Sequence, residues 1–195
     1  MKQYLALIFL LIILYFFCSC TFFETRNPES PDEDGIIYVT PISPDITIEN
    51  FVKSIKNKDV DNYGNNFADS NYIFVPSSNA NIMFPVFFEN WNLQNEKKYF
   101  LSLKTELGKS NNISINLSNN FFEIRTSDSV VFLADYYIFI DLPKDNYSKK
   151  YDGKLLFVIK PQKNGLWAIT RWNDYQNNNS NITETFSFLK WYFHN

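Results

Sequence analysis

Cysteine is the most reactive residue type in this chain, and there are only two cysteines. Cys18 and Cys20 stand two residues apart in the stretch FFCSCTFF, where a wholly apolar run ends. A pair at this spacing could hold a metal, form a redox couple, enter disulfides or mark a processing signal. A zinc site would need further Cys or His ligands, and the only histidine is His194, next to the C-terminus. The residues that precede the pair therefore indicate which of these roles applies.

The first twenty residues predict a processing signal. Lys2 is followed by an uncharged run of fourteen residues, Tyr4 to Phe17. As a helix this run would span roughly 21 Å, which is short for a bilayer core of about 30 Å but typical of a signal-peptide core. The end of the run, Phe17-Cys18-Ser19-Cys20, resembles the bacterial lipobox, in which a small residue precedes an obligatory cysteine. Phe17 is larger than the leucine usual at its position.

The lipobox resemblance implies that Cys20 is the lipidated residue and that residues 1–19 are a lipoprotein signal peptide. Each buried CH₂ contributes about 0.8 kcal/mol, so two or three acyl chains on Cys20 would anchor the protein firmly in a membrane. Cys18 would leave with the signal peptide, and no disulfide is expected. The alternative is an uncleaved N-terminal anchor, which also places the domain outside the cytoplasm.

Residues 20–42 are predicted to be a lipid-anchored tether. Pro28, Pro31 and Pro41 remove backbone donors and stiffen this segment, which is also rich in acidic residues. We therefore expect the protein at the bacterial cell envelope. If the host has two membranes, Thr21 in place of Asp after the anchor cysteine resembles sorting to the outer membrane, facing the periplasm.

The composition predicts one packed domain over residues 43–195. Hydrophobic residues make up 45% and charged residues 20% of the 195 residues, so a core is expected. The net charge of −3 offers no basic field for a phosphate backbone, which argues against nucleic acid as a partner. The sequence contains no Gly-rich phosphate loop, nucleophile elbow or cluster of metal ligands. We expect no cofactor and no metal.

The first half of this domain predicts helices. Ser43-Pro44 is typical of an N-cap followed by proline at the first helical position, and Asp59 can cap a second, short helix. Asn71–Val75 indicates a strand, and the Ser- and Asn-rich residues after it indicate a loop. Phe84–Trp91 is too apolar for a free loop and is expected to pack down. A longer helix is predicted from Asn92 to Leu107, closed by Gly108.

The second half predicts strands joined by hairpins. The segments are Ile113–Leu117, Phe121–Arg125, Val130–Leu142, Lys154–Lys160 and Leu166–Asn173. Turns are expected at Ser118-Asn119-Asn120 and at Asn164-Gly165. Helices followed by consecutive hairpins indicate an α+β fold, with N-terminal helices packed on one antiparallel sheet. Val130–Leu142 barely alternates between apolar and polar residues, so we expect both its faces to be covered, the second by a partner chain or by a helical C-terminal tail.

Three segments resemble the nuclear-transport-factor-2-like superfamily, which includes ketosteroid isomerases and polyketide cyclases. Glu49–Pro76 resembles its opening helices and first strand, Asn90–Phe100 the entry of its third helix, and Gly153–Asp174 its closing hairpin. The resemblance implies a cone-shaped, cystatin-like fold, with a pocket between a curved antiparallel sheet and the helices. Together with the lipobox and the tether, the chain resembles bacterial lipoproteins that carry this fold.

Enzymes of the superfamily place an Asp, Tyr or His in the pocket, and this indicates candidate residues here. Asp135 and Tyr137 share one face of the long strand, so Asp135 could act as a general base with Tyr137 as donor. Arg171 and Trp172, on the last strand, are further pocket candidates that face opposite ways. The alternative is that Asp135 pairs with Arg171 or faces solvent. Trp167 and Trp191 are expected in the core rather than as sugar platforms.

Two functions follow as hypotheses. The first is a lipid-anchored, non-catalytic binding or scaffolding domain that contacts the membrane through Cys20. The alternative is a small enzyme of the isomerase or cyclase type that uses Asp135. A third hypothesis is a homodimer formed through the exposed sheet face, which is common in this superfamily.

Overall fold

The structure is a computed structural model that describes residues 36–142 and 147–194. The predicted signal peptide, Cys20 and most of the tether lie outside the described residues. Tyr38–Asn195 forms one compact unit. None of the helices within the described ranges is both long and apolar enough to cross a bilayer.

Within the described ranges, the domain is built of five helices and five strands. The helices are α1 (Pro44–Lys56), α2 (Val60–Gly64), α3 (Ser78–Met83), α4 (Leu93–Leu107) and α5 (Phe186–His194). The strands are β1 (Ile73–Val75), β2 (Ile113–Arg125), β3 (Val130–Ile140), β4 (Lys150–Pro161) and β5 (Trp167–Tyr175). The sheet order is β1-β5-β4-β3-β2, with β1 parallel to β5 and the other neighbours antiparallel. The predicted α+β fold, with helices on a curved and mostly antiparallel sheet, is confirmed.

The helix ends follow the capping residues of the sequence. Ser43 Oγ accepts a hydrogen bond from the Ile46 amide, and an Asp59 carboxylate oxygen accepts one from the Asn62 amide. Asn92 forms a capping box at the start of α4, which ends at Gly108 with φ of 63°. These predicted boundaries are confirmed. Helix α3 is a correction, because the Ser- and Asn-rich segment predicted as a loop contains one short helix.

The predicted hairpin at Ser118-Asn119-Asn120 is wrong. Strand β2 continues through it, since Ser118 pairs with Asp135 and Phe121 pairs with Leu133 on the same neighbouring strand. The extra residues form a β-bulge, in which Asn119 has φ of 48°. Asparagine tolerates this left-handed conformation in bulges as well as in turns, so the residue type did not distinguish the two. The second predicted hairpin is confirmed, with Gly165 at φ of 79°.

The two faces of the sheet differ. Along β3, the side chains from Val130 to Ile140 at even positions are buried against the helices, and those at odd positions are half-buried or exposed. The C-terminal tail forms α5, but it packs on the helical side, where Phe186 contacts Tyr136. In the described parts of the chain, the helices and tail therefore cover one face only. The poor alternation of β3 arises because its odd positions also carry apolar residues.

Ordered contacts begin before the predicted domain start at residue 43. The Val39 carbonyl accepts a hydrogen bond from the Asn50 amide nitrogen at 2.6 Å, and the Pro41 carbonyl accepts one from the Trp167 amide at 2.7 Å. The predicted packing of Phe84–Trp91 is confirmed, because Phe88 and Trp91 are buried and Phe84 stacks on Trp191 at 4.0 Å.

Candidate functional site

The four residues predicted for the pocket do not come together. Trp172 faces the helices and is fully buried. Arg171 is exposed on the opposite face of the sheet, as strand alternation requires. Asp135 and Tyr137 also lie on that opposite face, which we call the outer sheet face. The expected group of an acid, a tyrosine and a tryptophan in one cone pocket is therefore not present.

Asp135 belongs to a surface network. One carboxylate oxygen lies 3.5 Å from Lys154 Nζ, and the other accepts a hydrogen bond from Asn119 at 2.8 Å. Its ionic partner is thus Lys154 and not Arg171, which donates instead to Asn173. Asp135 lines a shallow cavity of about 410 Å³ on the outer sheet face.

The space between helices and sheet is filled by aromatic rings. The Trp172 ring contacts Phe186 at a centroid distance of 4.6 Å, Phe157 at 5.2 Å and Phe51 at 5.6 Å. All four side chains are buried. The Trp172 indole N–H has no hydrogen-bond partner among the described residues. This packing closes the cone around the position where a pocket was expected.

A buried carboxylate, Glu96, lies within this aromatic interior. It accepts hydrogen bonds from Tyr63 Oη at 2.6 Å, Tyr72 Oη at 3.0 Å and Trp91 Nε1 at 2.6 Å. It also forms an ion pair with Lys190, and both side chains are 0% exposed. Burial, followed by the neighbouring Glu96 charge, raises the pKa of Tyr63 and Tyr72 well above its ordinary value. These tyrosines therefore act as neutral donors.

Lys190 completes this cluster from α5. Its ammonium lies 3.8 Å from the ring centroid of Trp172 and 3.9 Å from that of Phe74, so two aromatic faces add to the ion pair. Burial lowers the pKa of Lys190 to about 8, although the Glu96 charge acts in the opposite direction. We call Glu96, Lys190, Tyr63, Tyr72 and Trp91 the Glu96–Lys190 cluster.

A second buried carboxylate, Asp174, fixes α5 to the sheet. It accepts hydrogen bonds from Tyr136 Oη at 2.7 Å, from the Ser187 amide at 2.8 Å and from Ser187 Oγ at 2.5 Å. Burial raises the pKa of Asp174, and these hydrogen bonds oppose the shift. Gly153 makes room for the network, since a Cβ at this position would lie 2.4 Å from Tyr136 Oη.

These three charged residues were not predicted as site residues, although the sequence carries a signal for each. Glu96 occupies the apolar face of α4, with Leu93 and Phe100 at helical spacing on either side. Lys190 is the one charged residue in the apolar run FSFLKWYF. Asp174 follows Trp172 at the spacing of two that puts side chains on one strand face. A charged residue on an apolar face indicates a buried pair.

The three charged groups already have partners among the described residues. Glu96 and Lys190 neutralise each other as an ion pair, and the carboxylate oxygens of Asp174 accept hydrogen bonds from its neighbours. The side chains of all three residues are at most 1% exposed. Neither the 410 Å³ cavity nor a larger one of about 460 Å³ is lined by any of them. Within the described ranges, no three His, Cys, Asp or Glu side chains are grouped to hold a metal ion.

The outer sheet face presents apolar side chains instead. Its exposed apolar and aromatic residues are Ile73, Phe121, Ile124, Tyr137, Phe139 and Tyr175. They are 38% to 54% exposed, and Leu133 and Leu156 lie half-buried between them. Exposed apolar residues that are contiguous across several strands are typical of an interaction surface.

Comparison with known proteins identifies the fold. No protein-family model matches the sequence, and no curated protein does. A provisionally assigned scytalone dehydratase from Novosphingobium aromaticivorans is similar with a TM-score of 0.55 and 10% identity, over 72% of this chain and 89% of that chain. A nuclear transport factor 2-like superfamily protein from Salmonella enterica is similar with a TM-score of 0.52 and 14% identity, over 69% of this chain and 89% of that chain. An NTF2-like protein from Cytophaga hutchinsonii is similar with a TM-score of 0.51 and 16% identity, over 67% of this chain and 93% of that chain.

At these identities the similarity shows the fold alone. The chain therefore has an NTF2-like fold, as the three sequence segments predicted. Some structures with this fold are named as enzymes and others are not, so its function has to be inferred from this chain's own residues.

Proposed function

We propose that this protein is a lipid-anchored lipoprotein of the bacterial cell envelope whose NTF2-like domain binds or scaffolds partners without catalysing a reaction. One observation carries the non-catalytic part. The interior, where an active site was expected, is filled by Trp172 and its aromatic neighbours, and its charged groups are paired and buried. Apolar side chains are instead exposed on the outer sheet face.

The lipid anchor is proposed from the sequence around Cys20, because the structure describes residues 36–142 and 147–194. The test is growth of a bacterium that expresses the protein with a clickable palmitate analogue. We expect labelling of the wild type and of Cys18→Ser, and none of Cys20→Ser, with an N-terminus that begins at residue 20. An unlabelled wild-type protein that begins at Met1 would remove the anchor from the proposal.

Self-association through the outer sheet face is the first binding mode we propose. The register places Phe121 beside Leu133, and Leu133 beside Leu156, across three strands. A second copy would bury these side chains and give β3 the second cover that its sequence predicts. Face-to-face packing of two such sheets is a common arrangement for apolar sheet faces.

Sedimentation velocity of the full chain in detergent tests this mode. We expect a dimer for the wild type and a monomer for Phe121→Asp, in which each copy would bury a charge. The matched control is Val86→Asp, because Val86 is 71% exposed and lies between α3 and α4, away from the sheet. A wild type that sediments only as a monomer would refute self-association.

The alternative function is an isomerase- or cyclase-type reaction with Asp135 as base and Tyr137 as donor. The observation that favours it is that Asp135 lines the 410 Å³ cavity. Its ion pair with Lys154 and its bond from Asn119 compete with this role. Turnover of a hydrophobic carbonyl compound by the wild type that is lost in Asp135→Asn would establish the alternative, and turnover by neither would exclude it for the compounds tested.

A further inference from the structure

A second surface has a different character from the apolar sheet face. A groove of about 460 Å³ lies between residues 38–41, the α1–α2 region and the tip of the β4–β5 hairpin. Ligand sites commonly have volumes of roughly 300–1,000 Å³ with a few placed polar groups. We call it the amide groove, because six of its lining side chains are Asn50, Asn62, Asn65, Asn66, Gln162 and Asn164.

The protein uses one end of most of these amides and leaves the other end free. Asn50, Asn62, Asn66 and Gln162 each donate through nitrogen, to Val39 O, Asp59, Asn62 O and Lys160 O respectively. Within the described chain, their side-chain oxygens have no hydrogen bond. Asn164 is used in the opposite way, because its side-chain oxygen accepts a hydrogen bond from the Leu166 amide and its side-chain nitrogen is left as a donor. The groove is therefore rich in acceptors, with a donor at the hairpin.

The charge of the groove selects against anions. Among the described residues that line the groove, the exposed Asp69 is the one charged side chain, and none is Lys or Arg. A phosphate or carboxylate ligand would meet repulsion from Asp69, whereas the Lys53 ammonium lies outside the groove lining, over the Tyr38 ring at 5.4 Å. A neutral ligand with many O–H donors fits the free amide oxygens.

An aromatic ring lies among these amides. Trp91, Trp172 and Trp191 each pack against other aromatic rings, with Trp191 stacked on Phe84 as expected for the core. Trp167 lines the groove, is half-buried, and forms no aromatic pair with the described residues. The expectation that Trp167 is a core residue is thus met only in part, because one side of it faces this cavity. An aromatic side chain combines an apolar face with little loss of conformational entropy on binding.

We propose that the amide groove is a binding site for a neutral oligosaccharide, in which Trp167 packs against a sugar ring and the Asn and Gln side chains hydrogen-bond its hydroxyl groups. Hydroxyl groups both donate and accept hydrogen bonds. They can therefore donate to the free amide oxygens of the groove and accept from the side-chain amides of Asn65 and Asn164. The inference rests on the proposed binding role and names a ligand class for it, but it requires neither the lipid anchor nor self-association.

The test is a titration of the purified full chain, in a detergent without a sugar headgroup, followed by NMR and by tryptophan fluorescence. The probes are maltotriose, cellotriose and tri-N-acetylchitotriose as neutral trisaccharides, with trigalacturonate as an anionic trisaccharide. We expect saturable binding of at least one neutral probe, with shifts concentrated in the Trp167 indole N–H and the groove amides. Trigalacturonate should bind at least several-fold more weakly because of Asp69.

Variants assign the binding to the groove. Asn65→Ala removes an exposed side chain and should weaken binding about fivefold, and Trp167→Ala should weaken it about tenfold. The matched control Asn181→Ala, at an exposed site outside the groove, should bind like the wild type. The Asn65 variant keeps the test decisive if Trp167→Ala unfolds.

Two results would overturn the inference. One is the absence of saturable binding by all three neutral probes, and the other is binding that Asn65→Ala and Trp167→Ala both retain while they stay folded. Palmitate labelling and sedimentation are independent of this outcome. A failure of the saccharide site is therefore distinguishable from a failure of the proposed function.

Discussion

Replacement of Lys190 by methionine is expected to destabilise the domain strongly. Removal of one partner from a buried ion pair leaves an uncompensated charge, which typically costs about 3–5 kcal/mol. Glu96 would keep its hydrogen bonds from Tyr63, Tyr72 and Trp91, and methionine fills much of the volume of the lysine stem. We therefore expect the free energy of unfolding to fall by about 3 kcal/mol, at the lower end of this range.

Urea denaturation followed by tryptophan fluorescence measures this loss, provided that the denaturant slope is unchanged. The matched control is Lys109→Met at an exposed position, which should change stability by less than about 0.5 kcal/mol. A double variant with Glu96→Gln should cost less than the sum of the single variants, because the two residues are coupled. The reasoning is refuted if Lys190→Met loses less than about 1 kcal/mol or if the two losses simply add.

Three further predictions concern the same interior and its sheet. Because burial lowers the pKa of Lys190 from 10.5 to about 8, the unfolded chain binds more protons at this residue between these values, so the stability of the wild type relative to Lys190→Met should rise by about 2 kcal/mol from pH 8 to pH 10 in urea titrations. The comparison with Lys190→Met removes the opposite contribution of the buried tyrosines, whose raised pKa values lower stability as the pH approaches 10. Parallel stability profiles of the wild type and Lys190→Met over this pH range would contradict it. Gly153→Ala should lose about 1–3 kcal/mol in the same assay, because its Cβ would clash with Tyr136 Oη, whereas the neighbouring Lys154→Ala should be nearly neutral. Asn119→Val should lose about 1–2 kcal/mol because φ is 48°, and Asn119→Gly should be better tolerated; equal effects would argue against the bulge.

Local signals in the sequence predicted most of the fold. Caps at Ser43, Asp59 and Asn92 act within one helical turn, so the helix starts could be located from residue types alone. The turn at Asn164-Gly165 was correct for the same reason. The hairpin predicted at Asn119 was wrong because a bulge and a turn use the same backbone conformation. Only the pairing of Ser118 and Phe121 with the same neighbouring strand distinguishes the bulge from the turn.

The interior was less predictable because it depends on contacts between distant segments. Glu96 and Lys190 are 94 residues apart, and each looks like an isolated polar residue on an apolar helix face. Strand alternation established that Asp135 and Tyr137 share a face, but it could not say which face the helices cover. That choice is made by the register of the sheet, which turns Trp172 inward and Asp135 outward.

The central claim is that the interior is closed around a paired Lys190, and its accessibility to an amine reagent tests this most directly. At pH 8 an amine with a pKa of about 8 is about half free base, against roughly 0.3% for an ordinary lysine, so an accessible Lys190 would react fastest of all the lysines. Peptide mass spectrometry after brief acetylation should find Lys109 modified and Lys190 unmodified in the native protein, and both modified in urea. Modification of native Lys190 as fast as Lys109 would show that the interior opens to small molecules and would contradict the proposed function.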